Sequence, residues 1–182
     1  MLAGLDLEIF SAEEAGVRED VVEDGKTFEE NSLKKANFVA EKTGEWAMAD
    51  DSGICIDALG GEPGVYSARY AGEGAGAEQL INFVLEKIKD VPEGKRTATF
   101  YTVAVLVSPK GERWSFEGKI SGRLALAPRG TPRSKLPYDV VFIPEGMDRT
   151  FAEMADEEKN SLSHRSRAFR KLKEFLAEKF KK

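Results

Sequence analysis

Apolar positions 28, 33, 36 and 40 (Phe28, Leu33, Ala36, Ala40) recur at roughly helical spacing. Thr27 and Glu30 just ahead of them have the separation of a capping box, in which a hydroxyl and a carboxyl satisfy the orphan N–H groups of a helix start. The pattern predicts a helix that follows Thr27 and ends near Thr43-Gly44. Leu80, Phe83, Val84 and Ile88 predict a second amphipathic helix reaching about Asp90. Phe169, Leu172, Leu176 and Phe180 predict a last helix that begins around Ser161 to Ser163, where either hydroxyl can cap it, and that turns a basic face outward. Extended segments are expected at 46–49 and from Ile54-Cys55-Ile56 onward, with Asp50-Asp51-Ser52-Gly53 as the bend between them. Residues 97–108 are β-rich, and Pro109-Lys110-Gly111 turns them back into 114–120 as a long hairpin. A further strand is expected at 140–143, and residues 60–64, with three glycines and a proline, read as a loop.

Composition narrows this to one α/β domain covering residues 1–182. With 41% of its 182 residues hydrophobic, the chain can bury a sizeable core, which excludes a disordered segment. No apolar run approaches the roughly 18 residues a membrane helix needs, so no membrane partner is expected. The lone Cys55 excludes an internal disulfide framework and a cysteine-built metal cage, and with no leader-like start it points to the cytoplasm. Within its apolar run Cys55 reads as core rather than nucleophile. Gly72, Gly74 and Gly76 lack a preceding strand and a Lys-Ser/Thr ending, so they read as a surface loop rather than a phosphate cradle. A net charge of −5 argues against a nucleic-acid partner, which needs a broad basic footprint. That average hides a gradient. Residues 1–51 carry fourteen acids and five bases, whereas residues 165–182 carry eight Lys or Arg and two Glu. A metal-friendly region and a phosphate-friendly one are therefore both available, or each is a solvated helix face.

Two constellations carry candidate chemistry. Adjacent carboxylates at Asp50 and Asp51 let one side chain hold a hard cation such as Mg²⁺ or activate a water, although Asp, Ser and Gly are also ordinary turn formers. Lys159, His164 and Arg165 gather positive charge about a predicted helix start, where anions are favoured, and Arg presents a planar fork to phosphate or to a carbonyl edge. His164 is the only histidine of the chain and reads as either a base-edge donor or an ordinary surface residue.

Four blocks then occur in order: Thr27-Phe28-Glu29-Glu30-Asn31, Ala49-Asp50-Asp51-Ser52-Gly53, the stretch 58–70 containing Gly60-Gly61-Glu62-Pro63-Gly64-Val65-Tyr66-Ser67-Ala68-Arg69-Tyr70, and Glu158-Lys159-Asn160-Ser161-Leu162-Ser163-His164-Arg165. With them the chain resembles the inosine triphosphate pyrophosphatase family over nearly its whole length. The resemblance implies an elongated, two-lobed α/β domain with a long mixed β-sheet flanked by helices, a nucleotide cleft between the lobes, and a homodimer. It implies hydrolysis of the inosine, deoxyinosine and xanthosine triphosphates to the monophosphate and pyrophosphate with Mg²⁺, which clears non-standard purines from the nucleotide pool. On that pattern Asp51 is the general base, Glu30 and Asp51 hold the metal, and Ser52 meets the phosphates or sugar. Tyr138 and Asp139 belong to the substrate-binding loop, and Lys159, His164 and Arg165 contact the purine, with donors aimed at the 6-oxo group. Glu30 keeps its other reading, as the capping-box residue.

Two stretches depart from the family pattern. Relatives open with a strand and a Thr/Ser-x-Asn-x-x-Lys loop that grips the triphosphate, and Met1 of this chain aligns after that loop. Asn31-Ser32-Leu33-Lys34 copies only its Asn-x-x-Lys, inside a predicted helix and without the leading hydroxyl residue. The sequence thus reads as N-terminally incomplete relative to the family, with exposed sheet edges expected. Second, residues 129–142 retain Tyr138 and Asp139 but not the glycines, the base-stacking Phe and the following Pro of the family loop, which leaves Leu136 to cover a purine by apolar contact alone. Two other functions therefore stand beside hydrolysis of non-standard nucleotides: a non-catalytic nucleotide-binding or dimerising relative, and a metal-dependent phosphohydrolase of altered substrate.

Overall fold

The structure is a computed structural model that describes residues 2, 4–132 and 137–181; Leu136, expected against the purine, lies outside the described residues. Its helices are α1 (Phe28–Thr43), α2 (Ala77–Lys87), α3 (Asp156–Leu162) and α4 (His164–Lys179), and its strands are β1 (Ala47–Ile56), β2 (Thr97–Val107), β3 (Arg113–Leu124) and β4 (Phe142–Pro144). Among the described residues no helix is long and apolar enough to cross a membrane.

Both ends of α1 follow from local chemistry. Thr27 Oγ1 accepts the Glu30 N–H at 3.1 Å, and Gly44, at φ 72°, ends the helix by returning its N–H to the Ala40 carbonyl. The predicted bend at Asp50-Asp51-Ser52-Gly53 is corrected: β1 runs unbroken from Ala47 to Ile56. Turn propensity is weak against ladder pairing, and both Asp side chains gain partners from distant helices. The last helix, α4, begins at His164, directly after Ser163 and so where it was expected, and the short α3 ahead of it is an element the sequence did not predict; Ser163, at φ −63° and ψ 157°, has the extended backbone usual ahead of a helix. The expected strand at 140–143 begins at Phe142, after a 3₁₀ turn at Pro137–Val140.

The α/β class holds, with one change. The four strands form a sheet in the order β1-β2-β3-β4 that is antiparallel rather than mixed. A short hairpin joins β2 to β3, closed by the Ser108 N–H on the Glu112 carbonyl at 2.8 Å, and antiparallel neighbours need no longer crossover. β4 pairs with β3 through Gly122↔Pro144, Arg123↔Ile143 and Leu124↔Phe142. Gly122 is needed there, since a Cβ would sit 2.3 Å from the Ile143 carbonyl oxygen.

The chain divides into two compact units: unit 1 comprises residues 1–51, 102–118 and 165–182, and unit 2 comprises residues 52–101 and 119–164. In unit 1 the two faces of β2 are covered by different helices. Val103, Val105 and Val107 pack with Ala36 and Ala40 of α1, while Ala104 and Leu106 pack with Ala168, Leu172 and Leu176 of α4. That is the period-two alternation of a strand meeting two helical stripes. The core of unit 2 is larger-grained, with Ile54, Ile56, Val84, Ile88 and Leu124 around the rings of Phe100, Phe142 and Phe151.

Candidate active site

Strand alternation separates the adjacent carboxylates of β1. Asp50 Oδ1 accepts Nη2 of Arg165, on α4, at 2.8 Å, whereas Asp51 Oδ2 accepts Nδ2 of Asn31, on α1, at 2.9 Å. Asp50 is thus held by a cation, and Asp51 by a neutral amide. Lys35 of α1 adds a third tie to the strand, its Nζ donating to the Asp50 carbonyl at 2.8 Å and pairing with Glu23 at 3.2 Å.

Glu30 lies in the first turn of α1, exposed, with Oε2 accepting the Lys26 N–H at 2.6 Å. Thr27 supplies its half of the expected capping box, but the Glu30 carboxylate reaches Lys26 N–H. Among the described residues no group of three or more His, Cys, Asp or Glu is placed to hold a metal ion. A pair of carboxylates is nonetheless the donor set that suits Mg²⁺, which takes one or two protein carboxylates and completes its shell with waters and substrate phosphates.

Ser52 follows Asp51 in β1 and opens unit 2. That unit gathers four more of the residues singled out in the sequence. Lys159 Nζ is ion-paired with Asp139 and lies 5.5 Å from the centroid of the Phe151 ring. His164 stacks on Phe100 at 4.6 Å between centroids and 8° between planes, and Tyr138 donates its hydroxyl to the Ser67 carbonyl at 2.8 Å. All four side chains are buried, which overturns the reading of His164 as an ordinary surface residue. Burial, with a lesser contribution from Tyr70, pushes the Tyr138 phenol well above its usual range, so it is a neutral hydrogen-bond donor here. Cys55 is half-buried, and burial followed by the nearby Asp57 carboxylate raises its thiol, in keeping with a packing role.

Arg165 belongs to unit 1. Besides Asp50, its guanidinium lies 5.6 Å from the Phe169 ring centroid, and its buried Nε has no hydrogen-bond partner. It borders a cavity of about 440 Å³ whose other walls include Leu5, Leu7, Met48 and Phe169. The sequence reading missed three residues. Asn31 was noticed only as a copy of the triphosphate-gripping pattern, and Lys35 was passed over. Ser67 pins the 58–70 block, its Oγ accepting the Ile54 N–H at 2.9 Å and donating to the Gly64 carbonyl at 2.6 Å. Each has a partner remote in sequence, and no local pattern encodes such a pair.

The chain belongs to the Ham1 family, whose model matches residues 1–175. It is 46% identical to a dITP/XTP pyrophosphatase of Geobacter sulfurreducens over 97% of this chain and 87% of that one. The corresponding protein of Clostridium perfringens is also 46% identical, over 97% of this chain and 88% of its own. Among solved structures, a HAM1 protein from Coxiella burnetii superposes with a TM-score of 0.89 at 37% identity, covering 97% of this chain and 89% of that one. The Staphylococcus aureus Ham1 protein gives 0.82 at 38% identity, over 88% and 82%.

Proposed function

We propose that the chain is a single pyrophosphatase domain that hydrolyses inosine, deoxyinosine and xanthosine triphosphates to the monophosphate and pyrophosphate. The observation that carries this reading is the different treatment of two neighbouring acids: Asp50 is tied to Arg165, while Asp51 is oriented by an uncharged amide. An oriented carboxylate is what the removal of a proton from an attacking water requires. The names of the relatives support the same substrate class. In this reading Asp51 is the general base, and Glu30 and Asp51 hold Mg²⁺. The metal, when bound, supplies charge stabilisation to the phosphate oxygens. Ser52 meets the phosphates or sugar, and Tyr138 and Asp139 shape the substrate loop. Lys159, His164 and Arg165 read the purine, with donors aimed at its 6-oxo acceptor. Adenine presents an amino group at that position and leaves such a donor unpaired, the kind of mismatch that discriminates by about 10⁴. The protein acts as a homodimer in the cytoplasm, where free nucleotides are its substrates.

Pyrophosphate release with Mg²⁺ tests the proposal, comparing inosine and xanthosine triphosphates with ATP and GTP and using Asp51→Asn as the blank. Selective release that vanishes in the variant is expected. A folded chain that releases none, or one whose release survives Asp51→Asn, overturns the assignment, and elution as a monomer by light scattering overturns the dimer.

A further inference from the structure

We propose that Asn31 is a positioning residue for the Asp51 carboxylate, an inference that rests on the reading of Asp51 as the base. Asn31 is fully buried on α1, and both ends of its amide are engaged. Oδ1 accepts the Gly25 N–H at 2.8 Å, and Nδ2 donates to Asp51 Oδ2 at 2.9 Å. The first bond decides the second. Because a backbone N–H requires an oxygen opposite it, the amide has one allowed orientation, and in that orientation the NH₂ group is aimed at the carboxylate.

The backbone ahead of α1 is built for this contact. A Cβ on Gly25 would lie 2.5 Å from Asn31 Oδ1 and 2.9 Å from Glu30 Cβ, so only glycine lets the chain close on the amide. The very next N–H, of Lys26, holds Glu30 Oε2 at 2.6 Å. Two consecutive backbone donors thus orient two consecutive side chains, Glu30 and Asn31. The choice of an amide also matters. A lysine or arginine at position 31 would bring a positive charge against Asp51, as Arg165 does against Asp50, whereas an amide fixes the carboxylate without bringing one.

The test is steady-state hydrolysis of inosine triphosphate by the full chain, with kcat and KM read separately and the melting temperature recorded for each variant. Asn31→Ala is expected to lower kcat by about 10- to 100-fold, the usual loss when an outer partner of a reacting group is removed, with KM changed less than about threefold. Gly25→Ala is expected to lower kcat by a similar factor. Combined with Asn31→Ala the loss should stay well below the product of the two, because both variants break one lock, with any remainder arising at Glu30. Asn31→Asp keeps the shape and the Gly25 bond but replaces the donor by a second carboxylate facing Asp51, so it should lose kcat, together with a lower melting temperature from the like-charge pair; this variant decides the matter should Asn31→Ala fail to fold. The inference is overturned if Asn31→Asp keeps kcat within twofold, if the loss falls in KM alone, or if the Gly25 and Asn31 losses multiply. Asp51→Asn runs alongside: activity surviving there refutes the reading of Asp51 itself, whereas a dead Asp51→Asn beside an unimpaired Asn31→Asp refutes only the positioning role.

Discussion

Arg165 serves two ends at once, since one nitrogen of its guanidinium neutralises Asp50 while another, buried, has no acceptor. Arg165→Ala should therefore narrow the preference for inosine over adenine nucleotides by about tenfold or more, measured as the ratio of kcat/KM values. It should also cost about 1 kcal/mol in denaturant unfolding, a modest figure because the pair is partly solvated. Burial, reinforced by the Glu62 carboxylate 2.6 Å away, pushes the Tyr70 phenol up to about 12. Below its ordinary value near 10 the phenol is protonated whether the chain is folded or not. Between about pH 10 and 12 the unfolded chain releases that proton while the folded chain holds it, so stability should fall across this window. Denaturant titrations at stepped pH should show a shallower fall for Tyr70→Phe. The raised Cys55 thiol should alkylate slowly with iodoacetamide at pH 8 in the native chain and quickly once the chain is unfolded, and equal rates would refute its shielded placement.

At the scale of elements, α1 was legible end to end because its signals are local: a hydroxyl at the start, an apolar stripe, a glycine at the stop. Thr27→Ala should cost about 1 kcal/mol of stability in chemical denaturation, the ordinary value of an N-cap. The two ends of β1 were legible but its middle was not, since Asp50-Asp51-Ser52-Gly53 has the composition of a turn. Pairing with β2 overrides that composition, and the side-chain ties to Arg165, 115 positions away, and to Asn31 of α1 add to it. The same limit explains the site. The acids and the basic segment could be picked out from residue type and spacing, and Glu30 only through the family resemblance, since its place in the sequence reads equally as a capping residue. Their partners could not, because which carboxylate receives the cation and which the amide is fixed by the side of the sheet each one faces. The start of α4 directly after Ser163 was legible for the same local reason as α1, whereas the seven-residue α3 ahead of it carries no apolar stripe long enough to announce it.

Across the whole molecule, the acid-rich first third and the basic last helix fall mostly into the same unit, so the charge gradient of the sequence is closed up within unit 1 rather than shared out between the two. Unit 2 keeps its own charge pair indoors, Lys159 with Asp139. Lys159→Met should leave a buried carboxylate without its cation and cost about 3–5 kcal/mol, visible as a lower denaturant midpoint. Neither unit is a continuous stretch of chain: unit 1 is assembled from three segments, the last of them residues 165–182. On a ribosome, then, α1 and the start of β1 emerge well before α4. Leu172 and Leu176 reach Ala104 and Leu106 only once α4 has followed. Half of β2 stays uncovered for that interval, an opening for chaperone capture or mispairing that α4 closes.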